Sequence, residues 1–214
     1  TLGQQAWCVK STFLPAPGQS IVDALKRYAL YSFSMKRPSV LTVGSTYVIE
    51  LQDQFALGDD ISALVSPKSS SGRINLWVRT MVNGVSRFDQ MPAGYHGPAY
   101  AMVTPKSWPV RVSMGDSLTQ LRLFRGIVDP LSTNELQQLQ QTEGLIFDPA
   151  GEHIDSQDMI VRDGILLTAN LDNDIVAYQA KHSIELLDLA KVRGHHRDDF
   201  FIPINRSENL ELVL

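Results

Sequence analysis

Ser45-Thr46-Tyr47-Val48-Ile49-Glu50-Leu51 mixes polar and apolar side chains and is rich in β-branched and aromatic residues, the pattern of a strand rather than of an amphipathic helix. Ile74-Asn75-Leu76-Trp77-Val78-Arg79, Trp108-Pro109-Val110-Arg111-Val112 and Leu118-Thr119-Gln120-Leu121-Arg122-Leu123-Phe124 read the same way, with Gly, Pro and Asp punctuating the intervals. Turn signals this closely spaced over residues 1–130 predict a mainly β domain of barrel or jelly-roll type with a few short helices, in preference to a parallel α/β sheet.

Two helices are expected. Ile21 to Tyr28 is one. Ser132 to Glu143 is the other, because Ser132 followed by Glu135 makes a capping box, Leu136 and Leu139 share a face, and Gly144 can close the end. Residues 131–145 then read as a helical connector, and strands are expected to resume near Gly164. Trp7-Cys8-Val9-Lys10 after Leu2 resembles Tyr178-Gln179-Ala180-Lys181 after Leu171. Tyr31, Phe33, Met35, Arg37 and Leu41 have counterparts at equal spacing in Phe200, Ile202, Ile204, Arg206 and Leu210. Residues 146–214 are therefore a candidate for the start of a second, truncated repeat, although alternation alone can make two strands look alike.

Composition excludes some partners. With 214 residues, 43% hydrophobic and 20% charged, the chain can bury an ordinary core. Its net charge of -4 argues against broad binding to nucleic acid or anionic membrane, which calls for basic patches, so any anion must be met locally. The single Cys8 cannot form an internal disulfide, and no signal peptide or apolar run of about 20 residues is present, which fits a cytoplasmic protein. The start at Thr1 and the strand-like end at Leu210–Leu214 read as cuts in a longer chain.

Two runs carry candidate chemistry. Pro67-Lys68-Ser69-Ser70-Ser71-Gly72-Arg73 packs two cations, three hydroxyls and a glycine into seven positions. That supplies what a phosphate needs, namely hydroxyl and backbone donors and a fixed cation, with Gly72 permitting close backbone approach. A polar turn between strands explains it equally simply, and P-loop spacing is absent. In Phe88-Asp89-Gln90-Met91-Pro92-Ala93-Gly94-Tyr95-His96-Gly97 the glycines give a bend that sets Tyr95 either against a base or sugar or into the core.

These runs, their separation, and the later Gly115-Asp116-Ser117-Leu118-Thr119-Gln120-Leu121 resemble the dCTP deaminase and dUTPase superfamily, a trimeric β fold with sites between subunits. Ser69-Ser70 followed by Arg73 is similar to the serine pair and arginine of dCTP deaminases, whereas dUTPases carry a shorter Ser-Gly version without that arginine. Phe13-Leu14-Pro15-Ala16-Pro17-Gly18, Ala177 to Lys181 and Asp199-Phe200-Phe201 extend the likeness to the first half of double-length bacterial dCTP deaminases. The resemblance implies a dUTPase-like distorted barrel and hydrolysis of dCTP to dUTP and ammonia by a water that a glutamate activates. It also implies Mg²⁺ carried with the triphosphate, no zinc, and a trimer or a pseudo-trimer of repeats. Lys68, Ser69, Ser70, Gly72, Arg73, Gly94, Tyr95 and Gln120 would line the nucleotide pocket, with Ser69 and Arg73 also acting in catalysis.

The departure is at Met102, where the resemblance implies the glutamate. A thioether accepts no proton near neutral pH, and loss of a general base costs about 10²- to 10⁴-fold in rate. The chain is then a degenerate nucleotide-binding or scaffolding copy, or Asp89 activates the water, or Met102 is a variant of an active site that Met102→Glu would restore. A dUTPase-like pyrophosphatase is a further alternative. His195-His196-Arg197-Asp198-Asp199 reads as a solvated loop in preference to a metal site, because adjacent histidines point apart and no second cluster completes a ligand set.

Overall fold

The computed structural model describes residues 1–126, 129–148, 150–162, 164–167, 169–182 and 184–206. In chain order the first elements are β1 (Leu2–Val9), α1 (Ile21–Tyr28), β2 (Ala29–Ser34), β3 (Ser39–Leu41), β4 (Thr46–Ala56), β5 (Ile61–Pro67), α2 (Ser69–Arg73) and β6 (Leu76–Val82). They continue with β7 (Gln90–Met91), β8 (His96–Pro105), β9 (Val110–Val112), β10 (Thr119–Arg125), α3 (Thr133–Thr142), β11 (Ile175–Ala180), β12 (Leu187–Asp188), α4 (Arg197–Phe200) and β13 (Phe201–Asn205). The chain is mainly β, as the strand patterns require. Among the described residues the strands lie in four sheets, ordered β2-β1-β4-β8-β6, β10-β5-β7, β12-β9-β3 and β11-β13, and none of these closes on itself.

Strand β8 lies inside the largest sheet, pairing antiparallel with β4 on one side and with the edge strand β6 on the other. From Ala99 to Pro105 every residue is buried, so this strand has no solvent face. Ala99, Ala101 and Val103 point into one cluster with Tyr47, Ile49 and Val78, whereas Tyr100 and Met102 point into a second with Val48 and Met81. Helix α1 covers that second side. Ser20 accepts from the Asp23 amide at 3.0 Å as its N-cap, Lys26 and Arg27 occupy its last turn, and Ile21, Ala24 and Leu25 form one buried face.

The chain divides into two compact units, residues 1–126 with 178–203, and residues 127–177 with 204–214. Within the first, β12 adds in parallel to β9, which the expected boundary at residue 130 did not anticipate. Trp108 explains the attachment: fully buried, it donates from its indole N–H to the Lys181 carbonyl at 3.0 Å and meets the rings of Phe200 and Phe201 edge-on at 5.3 and 4.9 Å.

The second unit contains α3, whose capping box forms as expected between Ser132 and Glu135. Among its described residues the buried side chains are Gln140, Ser156 and Met159. Gln140 is 1% exposed; its amide donates to the carbonyls of Ile146 and Ile154 at 2.9 and 2.7 Å and accepts from the amides of Leu145 and Ile146 at 2.8 Å each. Strands do not resume at Gly164, where Val161 and Ile165 make only an isolated bridge, but at Ile175. Asp, Asn and Gly residues in this stretch of sequence disfavour strand.

Trp108→Phe is expected to lower the stability of the first unit by about 1–2 kcal/mol through the orphaned Lys181 carbonyl, and Trp108→Ala by about 3–5 kcal/mol. Urea denaturation followed by circular dichroism checks this. An unchanged midpoint for both variants would mean that residues 178–203 are held by other contacts.

Candidate functional site

The Lys68–Arg73 run is not an open loop but the short helix α2, capped by backbone alone and ended at Asn75, which takes a left-handed φ of 54°. The helix sorts its hydroxyls. Ser71 is buried and donates to the Leu118 carbonyl at 2.9 Å, the same carbonyl that accepts from the Lys68 amide at 2.9 Å, so this serine fastens α2 to the start of β10. Ser69 and Ser70 are exposed, and Arg73 donates to the Ser69 hydroxyl at 3.3 Å. At Gly72 a Cβ would meet nothing within 4 Å, so the space above this backbone is open. Gln120 stands beside Ser66 on the neighbouring strand and donates to its hydroxyl at 3.2 Å, close in register to the start of α2.

The second run goes inward. Tyr95 is 8% exposed, donates its phenol to the Pro98 carbonyl at 2.6 Å and accepts from the Asn83 amide at 3.3 Å. Burial raises its pKa, with the Asn83 bond acting the other way. Gly97 is required there, because a Cβ would stand 2.9 Å from that phenol oxygen. Of the two placements open to Tyr95, the fold of this chain takes the core, and Gly94 with a φ of 70° makes the turn that delivers it.

Asp89 is fixed at both oxygens. One accepts from the Thr80 amide at 2.7 Å and the other from Arg79 at 2.5 Å, while its own φ of 62° is held by backbone bonds to Thr80 and Val65. Met102 pairs across the sheet with Arg79 and Val48. It is fully buried in an apolar cluster that includes Phe13, Ile21, Leu25 and Tyr100. Burial, followed by the charges of Glu50 and Tyr95, pushes the neighbouring Tyr100 phenol up to about 12, so this cluster penalises an anion. Met102 and Tyr95 thus face the core, and both carboxylate oxygens of Asp89 are engaged.

What the structure does bring to α2 is the basic stretch after β12. Within the first unit, Lys68 and Ser70 line a cleft of about 630 Å³ together with Lys191, Arg193 and Arg197. His195 is not a solvated residue, since the Asp188 amide donates to its Nε2 at 3.0 Å and its ring stands edge-on to Phe200. Among the described residues no group of three or more His, Cys, Asp and Glu side chains converges on a point. The sequence signal for the cleft was available as Lys191-x-Arg193-x-x-x-Arg197, but cations at that spacing ordinarily belong to a solvated face.

Comparison with known families decides the lineage of this arrangement. Residues 1–127 match the model of the 2'-deoxycytidine 5'-triphosphate deaminase N-terminal domain, and residues 132–214 match that of the C-terminal domain. The chain belongs to the 2'-deoxycytidine 5'-triphosphate deaminase family. Among solved structures it is similar to the 2'-deoxycytidine 5'-triphosphate deaminase from Agrobacterium tumefaciens, at 32% identity and a TM-score of 0.85. The match covers 96% of this chain and 60% of that one, so the chain spans about 60% of the length of this dCTP deaminase. Comparison with curated proteins gives no match.

Met102→Glu is expected to destabilise the fold by about 3 kcal/mol at pH 7, because it buries a carboxylate whose cross-strand cation already serves Asp89. Burial raises the folded pKa of such a group above its unfolded value of about 4.3, so the penalty appears as pH rises through that value and is absent below it. Denaturant melts between pH 4 and 7 should show the variant converging on the parent as pH falls, with Met102→Leu within about 1.5 kcal/mol throughout.

Proposed function

We propose that this dCTP deaminase-family chain takes part in hydrolytic deamination of dCTP to dUTP and ammonia, in pyrimidine deoxynucleotide metabolism, and supplies the phosphate-binding wall of the site. The observation that carries the reading is the exposed face of α2. Ser69, Ser70 and Arg73 stand there free of the core, with Lys68 at the helix entrance, and form a set of hydroxyl donors and cations suited to a triphosphate. In this reading the wall holds the nucleotide while water adds to C4 of cytosine and ammonia departs. In this reading magnesium enters on the phosphates, which meet the hydroxyls and cations of α2, and zinc has no role.

Met102 favours a second reading of the same site, in which this chain alone binds dCTP and does not turn it over. Its apolar surroundings offer no proton acceptor, and both oxygens of Asp89 are already engaged. The general base then comes from another segment or subunit, in keeping with a trimer or pseudo-trimer in the cytoplasm. Leu30 and Tyr31, exposed at 62% and 54% on the edge strand β2, support assembly. A second copy beginning within residues 146–214 is part of the proposal, supported by β11 pairing with β13 much as β1 pairs with β2.

Calorimetry with dCTP and magnesium is expected to give saturable binding that Arg73→Ala weakens at least about tenfold. Parallel measurement of ammonia release separates the readings: turnover places a working base within this chain, and binding without ammonia places it elsewhere. Absence of both heat and ammonia at high protein concentration would sink the assignment, and pyrophosphate release would redirect it to a dUTPase-like reaction.

A further inference from the structure

Edge strand β2 lacks the guards that sheet borders ordinarily carry. Ala29 to Ser34 include no charge and no proline, whereas the opposite border, β6, holds Arg79 in mid-strand. Among the described residues β2 pairs with β1 alone. Met35 donates to the Gln4 carbonyl at 2.7 Å, which sets the phase of that antiparallel ladder, so Ser32 and Ser34 turn their N–H and C=O groups away from β1. Side chains add apolar surface on both faces. Leu30 borders a groove of about 360 Å³ between β2 and α1, together with Trp7, Val22 and Leu25. Tyr31 points to the other face, its ring 6.1 Å from that of Phe33.

Charge decides what can lie along this edge. Lys26 and Arg27 stand exposed in the last turn of α1 just before β2, and Lys36 and Arg37 stand exposed just after it. Asp23 is the one acid in residues 20–40, and it is committed to Lys26 and the Ser20 hydroxyl. Arg27 lies over the Tyr28 ring at 5.7 Å, and no ion pair engages Arg27, Lys36 or Arg37 among the described residues. Two β2 strands paired about a two-fold axis run antiparallel, which sets the Lys26–Arg27 end of one copy against the Lys36–Arg37 end of the other. Self-pairing is therefore repelled at both ends, and an acidic strand is attracted at both. The first unit as a whole has the same bias, with 17 Lys and Arg against 11 Asp and Glu over residues 1–126 and 178–203.

We propose that β2 is a docking edge for an extended segment of a partner protein, acidic at its ends and apolar between them, which adds to the five-stranded sheet and sets one apolar side chain in the groove beside Leu30. This goes beyond the deaminase reading and does not rest on it, since α2, Asp89 and Met102 take no part. Leu30 and Tyr31 serve assembly of identical copies only where the neighbour brings such a segment to β2.

Titration calorimetry on the full chain at about 50 mM salt tests this, with two synthetic peptides of alternating Thr and Val, one flanked by Asp pairs and the other by Lys pairs. The acidic peptide is expected to bind saturably and at least about tenfold more tightly than the basic one, and to weaken as salt rises. Methylating the amide nitrogens along one edge of the acidic peptide should weaken it about tenfold or more, as a backbone ladder requires. Leu30→Lys, and separately Lys36→Glu with Arg37→Glu, should each weaken it about fivefold or more while leaving the melting temperature and dCTP binding close to those of the parent. Absence of saturable binding, equal affinity for the two peptides, or affinity untouched by both variants would overturn the proposal. Concentration-dependent association of the chain by itself that Leu30→Lys abolishes would also overturn it, by giving the edge to a second copy.

Discussion

Burial of β8 on both faces is the constraint on which the rest of the first unit depends. A strand with no solvent face must place its backbone donors and acceptors on neighbours, and β8 does so by pairing with β4 and β6 along most of its length. One face then needs the opposing sheets and the other needs α1, which fixes the position of that helix and of the Phe13 segment leading to it. The edges of this sheet fall to β2 and β6, so exposed apolar residues collect on β2.

The same constraint governs the chemistry available at Met102. A carboxylate at that position would need a cavity with water or a free cation, and α1 delivers Ile21 and Leu25 instead. The thioether fits because methionine fills irregular apolar space. In this chain the core holds that position. Exposed hydroxyls and cations lie instead on α2 and in the 187–201 segment.

Much of this was legible in the residues, for identifiable reasons. Ser132 and Glu135 mark the start of α3 where the capping box predicts it, and α1 spans the expected Ile21 to Tyr28. The β-branched and aromatic residues of 45–51 became β4, with Tyr47, Val48 and Ile49 all buried because the strand is covered on both faces. Tyr95 was undecidable, since a glycine-flanked aromatic suits a ligand platform and a core turn alike, and only the Pro98 carbonyl settles which way the ring faces. Three adjacent serines could not be told apart until α2 turned Ser71 inward. The cleft was hidden for a different reason: Lys68 and Arg193 are 125 positions apart, and Trp108, which brings their segments together, gave no sequence sign that its partner was Lys181.

Gln140 leaves a thermodynamic imprint on the second unit. Where an ordinary domain hides a cluster of aliphatic side chains, the described residues here enclose Gln140, Ser156 and only one buried hydrophobic side chain, Met159. Heat capacity of unfolding scales with newly hydrated apolar area and is reduced by polar area. A kernel built on four amide hydrogen bonds is thus expected to contribute less heat capacity of unfolding than an aliphatic cluster of the same size would.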